Sequence, residues 1–220
     1  MKIILTGATG FVGSEVLTQL LADPKVTQVT ALSRRPLSQT HDKLVTIVQE
    51  DFSRYDDAVI ERISDHVGCI WTLGGPASDI GEGDLYVLVT HTFTTTFAEA
   101  IASHTKGRFT FCYVSGMGAD PTESTILPWE RTTRHIKGRT EKDLGLIQAR
   151  HTGMALRVFR PGGIIPKGSN SLVYALVSGF SIRVEELAKG LIIGATDPLV
   201  RGARTLSNGE IKKVARGAKP

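Results

Sequence analysis

The chain has 220 residues, 41% of them apolar and 22% charged, with a formal net charge of +4. That composition excludes a disordered, fibrous or collagen-like chain, and its apolar runs fall short of the roughly eighteen residues that a membrane-spanning helix needs. Its basic residues are scattered, with no recognition helix and no interleaved aromatics, so nucleic acid and membrane are not expected as partners; a phosphorylated small molecule accommodates the same charge.

In chain order, residues 2–6 form a short β-branched run, followed by glycines and by a periodic apolar stretch through Leu21 that Pro24 closes. That is strand, turn and helix. Strand-like runs follow at 27–33, 44–49, 68–73 and 108–115, with helix-like stretches at 56–65 and 84–104 between them. A looser segment runs from Gly116 to Leu127, and a strongly charged helix is predicted from about Trp129 to Gln148. Residues 155–160 read as a strand that ends at Pro161-Gly162-Gly163. Beyond Ser169, residues 174–180 and 184–193 read as helices, and Asn208 is placed to cap a final helix reaching Ala215.

Strands alternating with helices predict an α/β chain of Rossmann type: a doubly wound parallel sheet covered on both faces, with right-handed crossovers. No linker divides the chain, so 1–220 is expected as one domain, with residues from about 165 to 203 forming a small C-terminal lobe on the substrate side. Cys69 and Cys112 both fall inside strand-like runs, without metal or disulfide spacing, and read as core thiols. The first residues pass directly into a glycine turn without signal-peptide architecture, which leads to the expectation of a cytoplasmic protein, the nucleus remaining open.

Thr6-Gly7-Ala8-Thr9-Gly10-Phe11-Val12-Gly13 sets glycines at three-residue intervals between the first strand and the first helix. Glycine permits positive φ and close approach of backbone N–H groups, while a helix N-terminus offers unpaired donors and partial positive charge to a pyrophosphate. The third glycine lets helix and strand pack closely. Residues 7–13 are therefore expected to hold the diphosphate of a nicotinamide dinucleotide. An NAD-selective site carries a carboxylate at the end of the second strand; this chain reads Leu32-Ser33-Arg34-Arg35 there. A guanidinium pairs with a 2′-phosphate where a carboxylate repels it, so Ser33, Arg34 and Arg35 point to NADP(H), with Arg34 the stronger candidate.

The segment TGATGFVG resembles the cofactor signature of extended and atypical short-chain dehydrogenases/reductases. The resemblance is dense through residue 163 and loose after it. It implies that Asp51-Phe52, after the third strand, lies against the adenine, and that Leu73-Gly74-Gly75 passes close to the ribose and pyrophosphate. It also implies a serine or threonine after the fifth strand and a Tyr-x-x-x-Lys on the next helix. Those positions fall on Ser115, or two residues on at Met117, and on Thr133 and Lys137, so threonine stands where the family has its phenol. Lys137 is expected to hold the nicotinamide ribose. Proton transfer is a poor task for Thr133, whose hydroxyl is less acidic than a phenol and shorter in reach. Pro161-Gly162-Gly163 resembles the segment that runs along the nicotinamide, where main-chain groups would hold the carboxamide.

Other residues at this end read blandly. His135, about 200° around the helix from Lys137, is expected as a surface histidine, and Tyr113 as packing. Arg131, Arg134 and Arg139 read with Lys137 as a solvated basic helix, and Tyr174 is a phenol whose position the sequence does not fix. Gly118-Ala119-Asp120 and Lys-Gly-x-x-Glu at 137–141 look most like the branch of Tat-interacting oxidoreductase-like proteins, which implies NADPH binding. Three functions follow in order: an NADPH-dependent oxidoreductase of a small carbonyl substrate, a non-catalytic NADP(H) sensor with a protein partner, and an enzyme resembling sugar-nucleotide epimerases.

Overall fold

The computed structural model of the chain describes residues 1–81, 83–122, 124, 130–169, 178–197 and 203–217. Strand β1 (Lys2–Thr6) leads through the glycine turn into helix α1 (Phe11–Ala22), and β2 (Gln28–Ser33) and β3 (Leu44–Val48) follow. Helix α2 (Asp57–Ile63) precedes β4 (Gly68–Trp71). The run expected as one helix over 84–104 is three joined pieces: α4 (Asp84–Val87), a π-helical turn (Leu88–Thr92) and α5 (Phe93–Ala102), with a single turn α3 (Ala77–Ile80) before them.

Strand β5 (Phe109–Val114), the long helix α6 (Arg131–Arg150) and β6 (Met154–Arg160) complete the second half. Short strands β7 (Gly163–Ile165) and β8 (Ser181–Arg183) pair in parallel with each other. Helix α7 (Val184–Thr196), strand β9 (Ala203–Ser207) and helix α8 (Asn208–Ala215) end the described chain.

The main sheet has seven strands in the order β3-β2-β1-β4-β5-β6-β9, all parallel. This is the expected Rossmann-type α/β fold. The order reverses between β1 and β4, and in open α/β sheets ligands bind at the carboxyl ends of the strands on either side of such a switch. Because both faces are covered, the central strands are continuous apolar runs; Ile3, Ile4, Leu5, Cys69, Ile70 and Trp71 have no exposed surface. One face packs against α1, α7 and α8 through Val16, Leu20, Leu187, Leu191 and Ile211. The other packs against α2, α5 and α6 through Ile60, Phe97, Ile101, Leu144 and Ile147, with Trp71 stacked on Phe97 at 5.1 Å. Cys69 and Cys112 are both buried free thiols, as expected.

Two sequence expectations need correction. Strand β9 adds a seventh strand that the pattern did not reveal, because Ala203-Arg204-Thr205-Leu206-Ser207 is short and half polar. The cap of the last helix is Ser207, not Asn208: its side chain accepts from the Glu210 N–H while Glu210 reaches back to the Ser207 N–H. Of the segment from 165 to 203, α7 buries Leu187, Ala188, Leu191 and Ala195 within the main core. Residues 170–177, Tyr174 among them, and 198–202 lie outside the described residues, as does Trp129.

Candidate functional site

The glycine turn is held by its own backbone. Gly7 adopts φ +66°, and a Cβ there would meet the Thr72 side chain at 2.7 Å. A Cβ on Gly13 would lie 2.0 Å from the Gly7 carbonyl oxygen, so the first turn of α1 can approach the end of β1 only without side chains at these two positions. The Gly10 N–H donates to the Gly7 carbonyl at 2.8 Å, and the Ser14 N–H to the Gly10 carbonyl at 2.9 Å. Gly10 caps α1 without any side-chain hydrogen bond, so the N–H groups of Phe11, Val12 and Gly13 begin a 12-residue helix with no side-chain acceptor supplied to them. Such an end suits a diphosphate.

A cleft of about 410 Å³ opens beside this turn, lined by Gly7, Ala8 and Thr9, by Leu32, Ser33, Arg34, Arg35 and Pro36, and by Phe52 and Leu73. Arg34 and Arg35 are exposed at its rim, and no ion pair with either is found among the described residues. The donor set is phosphate chemistry: backbone N–H groups at one end, two guanidinium groups at the other and apolar walls between. The residues fit a dinucleotide. Asp51 is arranged differently from its expected use: its Oδ1 accepts from the Ser53 N–H at 2.8 Å and the Ser53 hydroxyl at 2.6 Å, and Oδ2 pairs with Arg54. These Ser53 hydrogen bonds hold its carboxyl below the usual range. Phe52 lines the cleft in its stead. Gly74, at φ +115°, and Gly75 carry the chain on from Leu73, and the Gly75 carbonyl accepts from the buried Tyr86 hydroxyl at 3.0 Å.

At the carboxyl ends of β5 and β6 the structure brings Ser115 and Lys137 together, with both side chains buried. Lys137 Nζ donates to the Ser115 carbonyl at 3.1 Å. Burial pulls the Lys137 ammonium down to about 8, against the opposing charges of Glu141 and Glu130. The Ser115 hydroxyl donates to Glu141 Oε1 at 2.5 Å, and Arg160 clamps the same carboxylate, its Nε donating to Oε1 at 2.9 Å and its Nη2 to Oε2. The Thr133 hydroxyl donates to Glu130 Oε2 at 2.7 Å and accepts from the Ala77 N–H at 3.0 Å, tying α6 to the segment after β4, and the Tyr86 hydroxyl lies beside it.

The main chain at Pro161-Gly162-Gly163 is also spoken for. The Gly162 N–H donates to Asn208 Oδ1 at 2.9 Å, the Gly163 N–H to the Phe180 carbonyl at 2.9 Å, and the Pro161 carbonyl accepts from the Met117 N–H at 2.8 Å. His135 is half-buried rather than on the surface, and its Nε2 has no partner among the described residues. Tyr113 is packed as expected, its phenol pushed up by burial. Sequence reasoning missed Tyr86, the Glu141–Arg160 pair and the bracing role of Asn208. Glu141 stood four residues from Lys137, which is the spacing of one helix face, and that was the available signal.

A family model described as NAD(P)H-binding matches residues 7–188. The chain is 32% identical over 174 residues to the leucinostatins biosynthesis cluster protein T of Purpureocillium lilacinum, a match covering 74% of this chain and 58% of that protein. It is 25% identical over 218 residues to Protein FMP52, mitochondrial, of Debaryomyces hansenii, covering 92% of this chain and 91% of that one. Among solved structures it resembles the Bordetella bronchiseptica enzyme WbmF in complex with NAD+, with a TM-score of 0.70 at 17% identity over 98% of this chain and 76% of that chain, a likeness of fold. The expectation of a cytoplasmic protein is corrected by the relatives, several of which are named mitochondrial. The described residues hold no helix long and apolar enough to cross a membrane, but the absence of a span carries no information about compartment.

Proposed function

Since this chain belongs to the NAD(P)H-binding family, whose model spans residues 7–188, we propose that it is an NADP(H)-dependent oxidoreductase of the short-chain dehydrogenase/reductase kind, acting on a small carbonyl substrate and its alcohol. The observation that carries this reading is the cleft beside the glycine turn, where a turn and helix end suited to a diphosphate meet a rim with Arg34 and Arg35; a buried lysine at the carboxyl end of β5 supports it. Absence of a carboxylate from the described residues lining the cleft favours a 2′-phosphate over a bare ribose. A bound nicotinamide supplies or takes the hydride.

The chain's own residues then bind, orient and stabilise. Arg34, with Arg35 beside it, pairs with the 2′-phosphate, and the N–H groups of residues 11–13 hold the diphosphate. Leu73, Gly74 and Gly75 border the ribose. Lys137 orients the nicotinamide ribose and places positive charge where an oxyanion develops. The Ser115 oxygen has given its hydrogen to Glu141 and keeps only its acceptor capacity. Thr133 serves the packing of α6.

One observation supports a second reading: the hydroxyl of Thr133 is bound to Glu130 and Ala77, and the phenol that reaches it, Tyr86, is buried and donates to the Gly75 carbonyl. On that reading the chain senses NADP(H) for a protein partner and turns nothing over. Purified chain, screened for NADPH oxidation against a panel of aldehydes and ketones, separates the two. The oxidoreductase is expected to show turnover that Lys137→Ala removes; cofactor binding with no turnover on the panel, joined to a partner interaction that depends on cofactor, would replace it by the sensor.

A further inference from the structure

We propose that Lys137 is itself the proton donor of this site, and that Glu141 is the residue that positions it; the proposal rests on the oxidoreductase reading. Which group can give up a proton follows from where each hydrogen is already spent. A hydroxyl has one, an ammonium three. The Ser115 hydrogen goes to Glu141, that of Thr133 to Glu130 and that of Tyr86 to the Gly75 carbonyl. The Tyr113 hydroxyl has no partner among the described residues, but it lies within the core, 1% exposed, and burial pushes its phenol up, away from proton donation. Among the described residues Lys137 spends one N–H, on the Ser115 carbonyl, and so two remain for a ribose hydroxyl and a reacting oxygen.

The surroundings make that ammonium willing to part with a proton. Lys137 is 8% exposed, and its side chain lies beside Gly116, where a Cβ would meet its Cδ at 3.9 Å. The charged groups on the elements around it include Glu130, Arg134 and Glu141 on its own helix, Arg160 on β6 facing Glu141, and Asp120 in the segment after β5, which packs on the neighbouring Gly138. Arg160 takes up much of the Glu141 charge, so desolvation outweighs attraction and the ammonium is brought near neutrality, where a general acid is most effective. Glu141 also fixes Ser115, whose carbonyl holds Nζ, so one carboxylate sets both the place and the charge of the donor.

The step balances as follows. The carbonyl carbon receives the hydride supplied by a bound reduced nicotinamide, and the C=O π pair moves to oxygen. That oxygen takes a proton from the Lys137 ammonium, leaving an alcohol and a neutral amine, which regains its proton from solvent. Oxidation of the alcohol runs the same path backward, with the neutral amine as base.

Three measurements test this. Lys137→Arg keeps positive charge and donors but holds its proton at all ordinary pH; at saturating NADPH it is expected to lose about a hundredfold or more in turnover. Lys137→Ala is expected to regain turnover with ethylamine and not with tetramethylammonium, which has charge but no proton. In the cofactor-free chain, the ε-carbon NMR signal of Lys137 is expected to titrate near 8, and lower in Glu141→Gln. Wild-type turnover that survives in Lys137→Arg, rescue by tetramethylammonium equal to that by ethylamine, or a Lys137 midpoint in the ordinary lysine range would each overturn the proposal and leave the oxidoreductase reading standing. A wild-type chain without turnover would remove that reading first.

Discussion

Lys137 carries its charge where water is scarce, and the cost of doing so is readable as stability. Burial brings its ammonium from the ordinary 10.5 down to about 8, a difference worth about 3 kcal/mol. In the unfolded chain the lysine stays protonated up to the ordinary value, so below about 8 the native state bears the full penalty of a buried cation. The penalty is relieved as pH rises through 8 toward 10.5, and this lysine's contribution favours folding most at the alkaline end. Lys137→Met is therefore expected to stabilise the chain at pH 7, by up to about 3 kcal/mol in denaturant unfolding, while the gain fades above pH 10. A loss of stability at pH 7 would show that the ammonium is better compensated than its burial implies. Little of this was legible in the residues themselves. The spacing from Thr133 marked Lys137, but burial and the Ser115–Glu141–Arg160 cluster come from strands and a helix far apart in sequence.

Helix α6 is what delivers that lysine, and it does so by close contact rather than by a large apolar face. A Cβ on Gly138 would lie 2.1 Å from the Asp120 carbonyl carbon, so α6 and the segment after β5 touch backbone to backbone beside Lys137. The Asp120 N–H donates to the Arg134 carbonyl at 3.1 Å, which strengthens the same seam. Gly138→Ala is expected to push the helix away from β5, lowering turnover by tenfold or more while the glycine turn at 7–13 still binds cofactor. Equal loss of cofactor affinity and turnover would mean that the seam matters to the whole fold and not to the lysine alone. At this scale the sequence is most readable where periodicity is long: residues 131–150 were anticipated within a few positions. It is least readable where a strand is short and half polar, as at Ala203–Ser207, or where a helix changes its winding, as at Leu88–Thr92. The cap of α8 shows the same limit, since Ser207 and Asn208 are both good caps and only the Glu210 contact decides between them. Ser207→Ala is expected to cost about 1 kcal/mol in unfolding free energy, and no loss would argue that Asn208 substitutes for it.

For the molecule as a whole, the fold places its chemistry by topology. The reversal of strand order between β1 and β4 opens the cleft, and the glycine turn that follows β1 stands at its edge. Strand alternation and the TGATGFVG segment made both features readable from residues, because each is local in the chain. The catalytic end was readable only as a departure from a motif, since its donors and acceptors are assembled from β5, α6 and β6. All else depends on NADP(H) binding in the cleft beside residues 7–13 and 32–36, as proposed. The direct test is calorimetric titration of the wild-type chain and of Arg34→Ala with NADPH and with NADH. The expected result is one site per chain that prefers NADPH, with Arg34→Ala losing about tenfold or more for NADPH and little for NADH. Absence of binding to either nucleotide would contradict a cofactor role for the cleft, and equal losses for both would contradict the assignment of Arg34 to the 2′-phosphate.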